Sequence, residues 1–78
     1  MPVDLTLYVR EGCHLCADME QALRECISEV QFEIHRVPIE NNAELERAYG
    51  TKVPVLVCGD QEICHYFLDK QALLRHLN

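Results

Sequence analysis

Asp4-Leu5-Thr6-Leu7-Tyr8-Val9, then Arg10-Glu11-Gly12, then Cys13-His14-Leu15-Cys16 is the stretch that decides the fold. Its first six residues alternate and are rich in β-formers, the pattern of a strand with one buried face. Arg10-Glu11-Gly12 reads as a loop. From Cys13 the apolar period changes: Leu15, Met19, Ala22, Leu23, Cys26, Ile27 and Val30 recur at three- and four-residue steps. That spacing predicts the inner face of an amphipathic helix running to about residue 29. The cysteine pair therefore falls where a strand hands over to a helix N-terminus.

Working outward, residues 32–37 alternate again and predict a second strand, with Pro38 at its end because proline cannot donate to a ladder. Asn41 followed by Glu44 has the form of a capping box. Leu45, Ala48 and Tyr49 form a short apolar stripe, and Gly50 is a helix-stop residue. Val55-Leu56-Val57-Cys58 is a buried-type strand, and Gly59-Asp60 a hairpin turn leading into a return strand over 62–66. Asp69 caps a last helix with Ala72, Leu73, His76 and Leu77 inside and Leu74 off the stripe. The order is β-α-β-α-β-β-α. A strand–helix–strand start implies a right-handed crossover and a parallel pair. The hairpin implies an antiparallel one. The fold class is thus α/β, a four-stranded mixed sheet flanked by helices, with residues 1–78 forming a single domain.

Composition agrees and excludes several functions. Seventy-eight residues allow one domain, and the 49% hydrophobic and 26% charged content excludes a disordered chain. No apolar run approaches the roughly 20 residues of a membrane span, and the N-terminus lacks the pattern of a secretory signal. The net charge of −6, with two lysines and five arginines scattered, speaks against a nucleic-acid or anionic-membrane surface. Five cysteines is an odd count. Without an export signal, that points to a cytoplasmic protein with reduced thiols rather than a secreted disulfide scaffold.

The pair Cys13 and Cys16 carries the chemistry. Positions i and i+3 on a helix lie about 5–6 Å apart at Cβ, close to disulfide geometry. Cys13 falls where helix N–H groups are unpaired and the macrodipole is positive, and both favour a thiolate. A thiol of pKa about 8.5 is only ~3% ionised at pH 7; lowering it to about 7 raises the nucleophile roughly fifteenfold. Cys16, deeper on the side of Leu15 and Met19, suits a resolving thiol. So small a ring stabilises by only about 2 kcal/mol, against about 3 for a fifteen-residue loop, which suits a bond made and broken rather than a staple. The plain alternative is two buried cysteines without chemistry. The sharper one is zinc, which wants four ligands. Cys64-His65 could offer two, but neighbours on a strand point to opposite faces. Cys26 and Cys58 read as core residues, and His35, His65 and His76 lack metal-ligand spacing.

On these residues the chain resembles the glutaredoxin-like branch of the thioredoxin superfamily, and is similar to short glutaredoxin-like proteins of bacteria. The resemblance rests on Cys13-x-x-Cys16 after the first strand, Lys52-Val53-Pro54 before the third, and the Gly59 hairpin followed by a final helix. It implies a thioredoxin/glutaredoxin-like fold and a small thiol–disulfide oxidoreductase. Cys13 would attack and Cys16 would resolve. The proline at Pro54 would carry a cis peptide bond and face the active cysteine. Arg10, His14, Lys52, Val53, Pro54 and Cys64 are the candidate substrate-binding residues. Arg10 stands where the family often has a lysine that meets the glutathione carboxylate, and Lys52 where it usually has a threonine. The chain departs from the familiar pattern at His14-Leu15, in place of proline and an aromatic. It departs again at Cys64-His65, where the family has a glycine pair that helps hold glutathione. The implied partners are protein or small-molecule disulfides, with glutathione or a thioredoxin-type reductase as reductant. No tightly bound cofactor, no metal, no nucleic acid and no membrane is expected, and the chain is expected to be a monomer. The rival function is a non-catalytic thioredoxin-like protein-binding module; the other is a zinc-binding protein.

Overall fold

Leu5, Leu7 and Val9 are fully buried on one face of the first strand, β1 (Val3–Val9), while Thr6 and Tyr8 turn to the other. The computed structural model describes residues 3–77. After β1 come α1 (His14–Ile27), β2 (Phe32–Pro38), α2 (Ala43–Tyr49), β3 (Val55–Cys58), β4 (Gln61–His65) and α3 (Lys70–Leu77). The element order and the four-stranded mixed sheet agree with the sequence. The strands lie side by side as β2-β1-β3-β4. β1 and β2 are parallel from Val3 opposite Phe32 to Val9 opposite Pro38, with α1 as the crossover. β3 pairs antiparallel with β1, and β4 antiparallel with β3 across the two-residue Gly59-Asp60 turn, where Gly59 has φ +61°.

One face of the sheet holds the main core. Cys16, Met19, Leu23 and Cys26 of α1 and Leu73 of α3 pack on Leu5, Leu7, Val9, Phe32 and Leu56. Burying each such side chain stabilises by about 1.5–3 kcal/mol before ordering costs. Asp69 caps α3 as expected, its Oδ1 accepting from the Ala72 N–H at 3.1 Å. Leu74 is half-buried. The other face presents Tyr8 and, across from Tyr8 and Thr6, the buried Val55 and Val57. There α2 is anchored by Tyr49, whose ring stacks on Tyr8 at 4.4 Å. Helices thus cover both faces.

Several local expectations are corrected. α1 ends at Ile27 rather than near residue 29, and Ile27 is 41% exposed instead of lying inside. It sits on the margin of the stripe in the last turn, beside β2, which is an edge strand. The cap of α2 is Asn42, not Asn41. An N-cap takes extended dihedrals, as Asn42 does at φ −130°, ψ 105°, with its Oδ1 accepting from the Leu45 N–H at 3.1 Å. Asn41 has φ +67°, a turn conformation that cannot open a helix. α2 buries no residue fully, and Ala48 is exposed. Gly50 does not end α2 in a left-handed turn. Its φ is −54°, and glycine is required because a Cβ would fall on the Glu46 carbonyl oxygen. No helix among the described residues is long and apolar enough to cross a membrane.

Candidate functional site

Gly12 makes the site's local geometry. Its φ of +77° is costly for any side-chain-bearing residue, and it turns the chain out of β1 into α1. Cys13 follows as the N-cap of α1, with extended dihedrals. Its Sγ accepts from the Cys16 N–H at 3.0 Å, and its carbonyl accepts from the Ala17 N–H at 3.2 Å. A sulfur thus occupies the place that a serine or aspartate oxygen usually takes, against orphan donors at the positive end of the helix. In the dithiol state the same donors would favour a thiolate there. Cys13 is half-buried and Cys16, one turn on, is only 3% exposed. The two are joined by a disulfide with Cα atoms 5.2 Å apart. Such a bond is open to attack from the Cys13 side and shielded on the other.

The disulfide lies in an open cleft of about 420 Å³ whose walls include Arg10, His14, Glu20 and Arg36. His14 is exposed on its rim. Arg10 lines the cleft but is engaged elsewhere: Nη2 donates to the Gly50 carbonyl at 3.2 Å and lies 2.8 Å from Glu46 Oε1. Arg36 Nε lies 2.7 Å from Glu20 Oε1, an ion pair by proximity, without hydrogen-bond alignment. Glu20 and Arg36 are absent from the sequence-based candidates. Glu20 is one helical turn beyond Cys16. Arg36 stands opposite Leu7, toward the C-terminal ends of the parallel strands where such sheets place ligands. That topological rule would have found it.

The remaining candidates do not line this cleft. Lys52 is paired with Glu62 at 2.6 Å, and Glu62 also holds His65 Nδ1 at 2.7 Å. The Lys52 hydrogen bond, aided by His65 and opposed by slight burial, keeps the Glu62 carboxyl below its ordinary range. Val53 packs half-buried against the core. The Val53–Pro54 peptide is cis, Pro54 is fully buried, and its carbonyl accepts from the Tyr66 N–H at 2.9 Å. Cys64 is the last of the candidates. It sits on β4 opposite Leu56, half-buried on the core face, because strand alternation turns it inward. Cys58, also half-buried, packs on that face, and Cys26 is buried within it. Among the described residues, the ligand-type side chains gathered within 4.8 Å are the exposed Asp4, Glu33 and His35, with no cysteine among them.

Burial pushes the Cys64 thiol above its ordinary range; a backbone hydrogen bond from Asp69 opposes the rise, and the charges of Asp69 and Glu62 add to it. A raised thiol pKa means less thiolate near neutrality, so Cys64 should alkylate slowly, its rate still climbing above pH ~9. Cys13 in the reduced protein should alkylate first at pH 7. Mass mapping after a brief pulse of iodoacetamide reads both, and labelling of Cys64 before Cys13 would contradict the assignment.

A profile of the glutaredoxin-like domain (DUF836) matches residues 4–78. The chain belongs to the glutaredoxin-like family. Protein Ne2328 from Nitrosomonas europaea, solved in solution, is 41% identical, with a TM-score of 0.92 over 100% of this chain and 94% of that one. The crystal structure of protein XcR50 from X. campestris is 36% identical, with a TM-score of 0.69 over 94% and 93%. Thioredoxin 1 from Thermosipho africanus, only 14% identical, superposes with a TM-score of 0.63 over 95% and 93%, which shows the shared fold. A search of curated proteins finds no match. The glutaredoxin-like chain therefore carries its bridged Cys13 and Cys16 on a thioredoxin-type scaffold.

Proposed function

We propose that this glutaredoxin-like chain is a cytoplasmic thiol–disulfide oxidoreductase. The observation that carries the reading is Cys13 Sγ at the N-cap of α1, on an open cleft and bridged to a buried Cys16. In the reduced protein the Cys13 thiolate attacks a substrate disulfide. A Cys13–substrate S–S bond forms, the substrate's own S–S bond breaks, and the first substrate sulfur leaves as a thiolate that takes up a proton. Cys16, losing its proton, then attacks Cys13 Sγ. The ring disulfide closes and the second substrate thiol departs. The substrate gains two electrons and the pair loses two. Glutathione or a thioredoxin-type reductase resets the pair, and no tightly bound cofactor takes part.

Turnover of a protein disulfide with glutathione, and separately with a thioredoxin reductase system, tests this. The protein should accelerate reduction in at least one arm, and Cys13→Ser should abolish the acceleration. If wild type is no faster than Cys13→Ser in both arms, the chain is a binding module that keeps the fold without the chemistry.

A further inference from the structure

Three cavities meet at Arg36. The first is the Cys13 cleft; the second, of about 450 Å³, continues along β2 past Arg24 and Ile27; the third runs past Glu11 and Glu40. Their charges differ. The third offers two carboxylates against Arg36, and the second balances Glu20 and Glu33 against Arg24 and Arg36. The Cys13 cleft alone sets two arginines, Arg10 and Arg36, against a single carboxylate, Glu20, on a chain whose net charge is −6. Of these two arginines, Arg10 is already engaged by the Gly50 carbonyl and Glu46. Arg36 lies against Glu20 at Nε, and among the described residues neither of its Nη groups makes a hydrogen bond. A half-exposed guanidinium with a carboxylate beside Nε and no hydrogen bond at either Nη group presents donors suited to a second carboxylate.

We infer that Arg36 is a specificity-determining residue that selects disulfides carrying a carboxylate a few bonds from the sulfur that Cys13 attacks. The inference rests on the thiol–disulfide reading above. It deepens that reading by naming the substrate's charge and the residue that receives it. Glu20 is the positioning partner, its carboxylate lying against Nε while Arg36 lines the cleft. The acids of the third cavity turn such a carboxylate away, which leaves the Cys13 side as its seat. The exchange step is unchanged: the Cys13–substrate bond forms, the substrate S–S bond breaks, and the leaving thiolate takes up a proton.

Alkylation of reduced Cys13 by iodoacetate and by iodoacetamide at one pH tests the selection without turnover. In each reaction the Cys13 thiolate bonds to the reagent's CH2 carbon and iodide leaves to solvent; only iodoacetate carries the carboxylate. The ratio of the two rates, iodoacetate over iodoacetamide, should fall roughly fivefold in Arg36→Gln, the factor an exposed charge pair supports. Arg36→Lys should recover part of it, and Arg36→Glu should depress it further. An unchanged ratio in Arg36→Gln and Arg36→Glu overturns the inference. Reduction of dithiodipropionate against hydroxyethyl disulfide, and of a peptide disulfide flanked by Glu against one flanked by Gln, then identifies the source of the carboxylate. A preference in both pairs assigns any carboxylate disulfide; a preference in the peptide pair alone assigns acidic polypeptides. If the alkylation ratio shifts but wild type turns over none of these disulfides, Arg36 still selects anions at Cys13 and the oxidoreductase reading is the one that fails.

Discussion

Cys16→Ser should turn the protein into a trap. Cys13 keeps its place at the N-cap and can still attack, but the thiol that ejects the product is gone. An intramolecular thiol three residues away acts at an effective concentration of at least ~0.1 M, against ~1 mM for an external one, so release should slow by roughly a hundredfold or more. Mixed disulfides should accumulate in cells and appear on non-reducing gels as bands that collapse with reductant. Cys13→Ser should show none. Serine nearly matches cysteine in size, which weakens a folding explanation even at a position only 3% exposed. Cys64 lies off the cleft, so it should not take over as resolving thiol, and Cys16→Ser combined with Cys64→Ser should trap the same partners. Equal trapping by Cys16→Ser and Cys13→Ser would remove the resolving role.

Leu7→Ala should cost about 2–5 kcal/mol, because Leu7 is fully buried in the central strand and a cavity there has little room to collapse. A domain of this length has about 4–12 kcal/mol of stability in all, so the variant should lose a large share of it, with a fall in Tm of at least ~8 °C. Ile27→Ala, at a side chain already 41% exposed, should cost less than about 1 kcal/mol. Urea unfolding followed by circular dichroism compares the two. A larger loss in Ile27→Ala than in Leu7→Ala would mean that the core is not centred on β1.

The fold was legible because period and punctuation agree. The step from alternation in β1 to a 3.6-residue repeat in α1 is a local signal, and so are the Gly59-Asp60 turn and the Asp69 cap. What was not legible depends on neighbours far away in sequence. Nothing within α1 says that Ile27 sits beside an edge strand. Nothing near Asn41 says that its backbone will be left-handed and that the cap will pass to Asn42. The position of Cys13 at the head of α1 follows from periodicity alone. The walls of its cleft do not, since Arg36 comes from β2 and Arg10 is held by α2. Cys64 shows the same limit: its strand was readable, but which side of the sheet it faces is set by pairing with Leu56. Lys52, a substrate-binding candidate in the sequence, is paired with Glu62 of β4.

The strand at the centre of the sheet is the first one synthesised, and both of its partners arrive later. Val3 pairs with Phe32, 29 residues on, and Tyr8 with Val55, 47 residues on. By loop-closure entropy the longer span costs only about 0.4 kcal/mol more than the shorter, so distance along the chain hardly ranks the two pairings. What ranks them is order of appearance on the ribosome. β2 emerges while β1 is already waiting, its Leu5, Leu7 and Val9 uncovered except by α1. The β1–α1–β2 unit can therefore collapse as a half-domain whose β1 edge stays open until β3 docks. Both pairings of β1 are non-local while the β3–β4 hairpin is local, so the chain should fold at the intermediate rate of mixed α/β domains. The redox pair sits inside the half that forms first.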